Sequence, residues 1–264
     1  MNLDIYTTEM SKSVWDKAFF MDKIPGVKYV VDFGCADGAM IHYLAPLFPD
    51  IKFIGYDINS ELITRAKSKT PFYANTIFFD DIAQVIGYLY AAPIAESNEI
   101  CINFSSVLHE VFSSTGGLDV ITNFINEIKP RYITIRDMYY HWGYENSDKT
   151  IVLDVYNAIK TNVISEDAIL SFEKHSGDLL LGCKKLSHFL MKYQWIDNGW
   201  EDELKEDYYA FDIKKFLKLI QNKYDIIFET HYQLSYLLEM WKKKYNIYLP
   251  KLHTHAQFIL RRDD

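Results

Sequence analysis

A chain of 264 residues, 49% of them hydrophobic, is large enough to bury a substantial core. Its net charge of −8 and pI near 5.5 argue against a protein that grips duplex nucleic acid by broad phosphate neutralisation. Cys35, Cys101 and Cys183 are far apart and lack metal-type pairing, which argues against disulfides and a structural zinc. No basic leader with an apolar core is visible, and no apolar run approaches the roughly 18 residues that span a bilayer. A cytoplasmic protein with no membrane partner is therefore expected.

Residues 11–24 carry serines that can cap a helix, followed by apolar residues at helical spacing, and predict a leading helix. "VKYVVDF" then reads as a strand, and "GAMIHYLAPLF" as a helix that stops at Pro49. "IKFIGYD" is a second strand, and "NSELITRAKSK" a helix capped by Asn59 or Ser60. "NTIFF" is a third strand and 82–90 a helix; "EICINFS" is a fourth strand, "GLDVITNFINEI" a helix and "RYITIRD" a fifth strand. Strands alternating with helices at short intervals predict parallel strands joined by right-handed crossovers. From 144 to 210 the pattern is helical and irregular, without a Pro/Gly/Ser-rich linker. It is expected to be an insertion over the carboxyl ends of the strands within a single domain spanning 1–264. "DIKKFLKLIQNK" resumes as a helix, and "YDIIFETHYQL" and "HAQFILRR" as strands.

"VVDFGCADG" ends the first strand where ligands of open α/β sheets bind. Gly34 and Gly38 let backbone approach a ligand closely, although tight turns also use glycine for geometry alone. Asp57 ends the second strand, where an acid can accept ribose hydroxyls, and Asp80 and Asp81 end the third, where a carboxylate can meet an exocyclic amine. Together these strand ends describe a nucleoside pocket. Asp32, just before the turn, would repel a pyrophosphate but suits the ammonium of S-adenosylmethionine (SAM).

"VVDFGCADG" resembles motif I of the class I SAM-dependent methyltransferases, acid-x-Gly-x-Gly-x-Gly, through Asp32, Gly34, Ala36 and Gly38, with Cys35 inside the loop. Ala36 departs from the pattern, acceptably while its φ stays negative. "YDIN" resembles the family's ribose-binding acid, giving Asp57 with Ile58 as an adenine wall. "FFDDI" resembles its adenine-contacting turn, giving Asp81 and Ile82. The resemblance covers about 10–141 and 211–262. It implies SAM as cofactor and a doubly wound, mostly parallel seven-stranded Rossmann-like sheet with an antiparallel last strand, the helical insertion following the fifth strand.

"NFSSVLHEVFS" leaves the fourth strand, whose end faces the methyl donor in this fold; Ser105 lies at that end. It lacks the Asn/Asp-Pro-Pro-aromatic signature of amino-methylating DNA enzymes and looks like the "LHE" turn of the small-molecule branch. His109 is a candidate base for an O or N nucleophile, or else a packing residue, and Glu110 a candidate for orienting the acceptor. Arg136, Asp137, Tyr139, Tyr140, His141 and Trp142 gather after the fifth strand. Arg136 and Asp137 can pair with each other or with substrate, and Arg136, Tyr139 and Tyr140 are candidate acceptor contacts, joined by Trp195 in an aromatic, acidic stretch that suits a lid. The "HTH" of 253–255 lacks a third metal ligand at convincing spacing, so no metal is expected. The expected activity is methyl transfer to a small molecule. An RNA or nucleotide end, favoured by the basic C-terminal stretch and the aromatics, and a non-catalytic SAM-binding protein are the alternatives.

Overall fold

The computed structural model describes residues 2–69, 73–91, 97–114, 116–140, 149–162, 165–248 and 252–262. His141 and Trp142 lie outside the described residues.

Apolar runs buried on both faces form the sheet centre. β1 (Tyr29–Phe33), β2 (Lys52–Tyr56), β3 (Thr76–Phe79), β4 (Ile100–Ser105) and β5 (Tyr132–Met138) pair in parallel, in spatial order β3-β2-β1-β4-β5. Every residue of β4 is buried, as expected for a strand covered on both faces. The order continues with β7 (His255–Arg262) and then β6 (Tyr224–Tyr232) at the edge. Arg262 N bonds Arg131 O while Tyr139 N bonds Thr254 O, so β7 runs antiparallel to β5. The sheet reverses between β1 and β4, which places the ends of β1, β2 and β4 around one crevice.

The helices α3 (Ala39–Leu44), α4 (Ser60–Lys69), α5 (Ile82–Ala91), α7 (Gly117–Ile128) and α12 (Ile213–Leu219) follow the predicted periodicity. Asn59 caps α4, its Oδ1 accepting from Glu61 N at 3.0 Å and Leu62 N at 3.3 Å. At the N-terminus the expectation fails. In place of one helix over 11–24 there are α1 (Leu3–Ser11) and a single turn, α2 (Val14–Lys17), after which the chain runs in turns. Two further helices were not expected: α6 (Leu108–Ser113), and α13 (Ser235–Tyr245) between the last two strands.

The chain divides into two compact units. The larger holds Leu3–Asp137, Asp212–Glu229 and the chain from Gln257, with Phe20, Val30, Ile41, Phe53, Ile63 and Phe78 in its core. The smaller holds Met138–Phe211 and Thr230–Ala256 and has a core of its own built from Ile159, Phe172, Leu186, Phe189, Leu190 and Trp241. The predicted insertion falls in this unit, which also takes in α13. Its helices are α8 (Lys149–Thr161), α9 (Glu166–Ser176), α10 (Cys183–Tyr193) and α11 (Trp200–Glu203). Among the described residues no helix is long and apolar enough to cross a membrane.

Candidate cofactor site

The loop after β1 is folded tightly against β2. Gly34 N and Cys35 N both donate to Tyr56 O, at 2.8 and 2.9 Å. Gly34 has φ +77°, and a Cβ there would stand 2.8 Å from a Val107 methyl; Gly38 has φ +74°, with Phe78 2.7 Å from its notional Cβ. Both positions therefore require glycine for conformation and for space. Ala36 does not keep the negative φ expected of it. Its φ is +49°, in the left-handed region, and its N–H donates to Asp57 Oδ2 at 2.8 Å, a bond that helps hold the strained turn.

An enclosed space of about 30 Å³ lies at these strand ends, lined by Tyr6, Val14, Lys17, Asp32, Gly34, Cys35, Ala36, Asp37, Ala39, Met40, Ser105 and Ser106. Four of the predicted cofactor residues besides Asp32 are here: Gly34, Cys35, Ala36 and Ser105. Asp32 is 4% exposed and accepts from Asn103 Nδ2 at 2.8 Å. Burial raises its pKa to about 6, against the pull of Asn103 and Lys17. Burial also raises the Cys35 thiol. Ser105 is buried, and its Oγ has no hydrogen-bond partner. Ser106 turns the chain at φ +58°. Thus two of the non-glycine residues held in the left-handed region, Ala36 and Ser106, both line this space, a clustering of strain typical of ligand sites.

Sequence reasoning missed Tyr6, Lys17, Asp37, Asn103 and Ser106. A buried Asp32 calls for a donor, but the alignment of Asn103 with Asp32 across β1 and β4 is visible only in the strand register. Nothing in the sequence marks the N-terminal turn as part of the site.

The outer predicted residues stand on the neighbouring strand ends. Asp57 Oδ1 accepts from Asn59 N at 2.9 Å, and burial raises its pKa. Ile58 is exposed, and Ile82 is half-buried. Asp81, an exposed residue, accepts from Ala83 N at 2.8 Å and so caps α5.

Beyond β4, α6 carries His109 and Glu110. His109 is buried, and its Nδ1 lies 2.7 Å from Asp137 Oδ1. Asp137 Oδ2 accepts from Leu108 N at 2.7 Å and His109 N at 3.2 Å, so one carboxylate caps the helix and orients the imidazole. His109 Nε2 lies 3.9 Å from the half-exposed Glu110 carboxylate. Arg136, 3% exposed, donates from Nε to Asp16 at 2.6 Å and from a terminal nitrogen to Ser106 Oγ at 2.5 Å. In the smaller unit Tyr139 packs on Phe211 and His231, Tyr140 is buried against Tyr209, and Trp195 is buried. His253 stacks on His231, and His255 Nδ1 meets Thr254 Oγ1 at 2.8 Å.

No family model and no curated protein matches the sequence. Solved structures do match its fold. A SAM-dependent methyltransferase from Anabaena variabilis aligns over 100% of this chain and 96% of its own, with TM-score 0.51 and 12% identity. An O-methyltransferase family protein from Burkholderia thailandensis aligns over 99% of this chain, which spans only 60% of that protein, with TM-score 0.51 and 8% identity. The fold is that of the class I methyltransferases. In a methyltransferase fold of this kind the β1 loop and the β4 end are where the present chain gathers its glycines, its buried acid and its unpartnered serine. The glycine cradle, the Asp32 carboxylate and the orphaned Ser105 Oγ have the chemistry that the methionine part of SAM requires.

Proposed function

We propose that this chain is a cytoplasmic SAM-dependent methyltransferase that methylates an oxygen or nitrogen of a small molecule. One observation carries the catalytic part. His109 stands on the short helix that follows the pocket residues Ser105 and Ser106, and Asp137 is positioned to hold its Nδ1. With the proton kept on Nδ1 by the carboxylate, Nε2 is the nitrogen that would take the acceptor's proton. Bound SAM supplies an electrophilic methyl on a sulfonium. The chain's own contribution is to hold Asp32 ionised beside the donor's ammonium, to fix the two partners in line, and to remove the proton at His109. Glu110, beside Nε2, is suited to orienting the acceptor. The helical unit, with Tyr139, Tyr140 and Trp195, is our candidate for acceptor recognition, and the acidity of the chain favours a small molecule over RNA.

The test is incubation with methyl-labelled SAM and a cell extract separated into small molecules, RNA and protein. Label is expected in the small-molecule fraction; label in RNA would overturn the acceptor class, and a folded, SAM-binding protein that labels nothing would be a binding protein instead. His109→Gln should lower turnover by about 100-fold or more, with S-adenosylhomocysteine affinity within a few fold. Parallel loss of affinity and turnover would make His109 a packing residue.

A further inference from the structure

We infer that Lys17 binds the carboxylate of the cofactor's methionine part, so that the N-terminal turn completes a site otherwise built from strand ends. The inference rests on the SAM reading above. Lys17 lines the same enclosed space as Asp32, Ser105 and Ala36, yet no hydrogen bond or ion pair within the described chain takes its ammonium. Three acids lie near enough to influence it: Asp16, Asp32 and Asp37. Asp16 is engaged by Arg136 and Asp37 by Lys69. Asp32 accepts from Asn103 through one oxygen, leaves the other without a donor, and forms no ion pair with Lys17. The space therefore presents an unpaired cation, an open carboxylate oxygen and the unpartnered Ser105 hydroxyl. An α-amino acid group carries its carboxylate and ammonium on adjacent atoms, so a single ligand group satisfies both charges at once.

A free lysine would swing into water, because desolvating an unpaired ammonium is costly. The backbone that carries Lys17 is anchored through its neighbour. Asp16 accepts from Arg136 Nε at 2.6 Å and from Gln257 Nε2 at 2.9 Å, and Gln257 also donates to the Asp16 carbonyl at 3.1 Å. These bonds anchor the turn to β5 and β7. Burial and the Arg136 charge draw the Lys17 pKa down to about 8, against the pull of Asp32, Asp16 and Asp37.

Calorimetry on wild type, Lys17→Gln and Lys17→Met tests this with S-adenosylhomocysteine, decarboxylated SAM and 5′-methylthioadenosine. Both variants should bind S-adenosylhomocysteine about 10- to 100-fold more weakly, the range of one charge-assisted contact, and the two ligands that lack the carboxylate as wild type does. An equal loss for all three ligands, or no loss for S-adenosylhomocysteine, overturns the assignment. Wild type that binds none of the three overturns the SAM reading itself. Urea midpoints of both variants are measured alongside, so that a weakened complex is told apart from misfolding.

Discussion

Asp32 accepts one side-chain hydrogen bond in a buried site, so its charge is under-compensated in the ligand-free protein. Its folded pKa of about 6 stands above the ordinary 3.8. Between those values the folded chain binds the proton more readily than the unfolded one. This group's contribution to stability therefore grows as pH falls through 6 and is complete near 3.8. Cofactor binding should run the other way, because only the carboxylate can hold the donor's ammonium. Asp32→Asn is expected to stabilise the ligand-free protein at pH 7 by about 1–3 kcal/mol and to weaken SAM binding at least tenfold. Urea midpoints and calorimetry at pH 5.5 and 7.5 check both signs. An Asn variant that binds SAM as wild type does would remove Asp32 from the site. Ala36 makes a second case. Its left-handed backbone costs about 1–2 kcal/mol for a residue with a Cβ, more than the roughly 0.5–1 kcal/mol of chain entropy that glycine adds. Ala36→Gly should gain about 1 kcal/mol in urea unfolding, with SAM binding retained. A loss of stability would show that the Ala36 methyl packs usefully in the loop.

The single turn of α2 is held by side chains, since four residues are too few to be stable alone. Arg136 is the centre of that attachment. It stands at the end of β5, where sequence reasoning offered it to substrate, and it reaches Asp16 on one side and Ser106 on the other. Asp16→Asn would remove the carboxylate that accepts from the buried Arg136 guanidinium, a change worth about 3 kcal/mol. The urea midpoint should fall accordingly, and Arg136→Met in the same chain should recover part of the loss. S-adenosylhomocysteine affinity should drop with Asp16→Asn as the turn carrying Lys17 loosens. An unchanged midpoint would mean that water serves Arg136 as well as Asp16 does.

At the scale of the whole molecule, the sequence by itself determined the alternation of strands and helices and the glycine-bearing turn at the end of β1. β1 to β5 are short apolar runs bounded by turn residues, and their period and length leave no competing assignment. Gly34 and Gly38 were legible because the loop needs positive φ and the absence of a Cβ. Asp57 and Asp81 were legible because an acid at a strand end bonds the backbone of the turn or helix that follows, Asp57 taking Asn59 N and Asp81 taking Ala83 N. Three things were decided only by tertiary structure. The helix expected over 11–24 breaks into turns because its residues answer to distant partners, Arg136 and Gln257, which lie 120 and 241 positions from Asp16. Ala36 adopts positive φ because Asp57, 21 residues on, takes its N–H. His109 acquires an oriented imidazole because Asp137, 28 residues away and on the neighbouring strand, caps its helix. Local pattern encodes periodicity and turn chemistry. Charges that meet across β1, β4 and β5 are joined by strand register and burial, which act through space and leave no mark at the spacing of neighbouring residues.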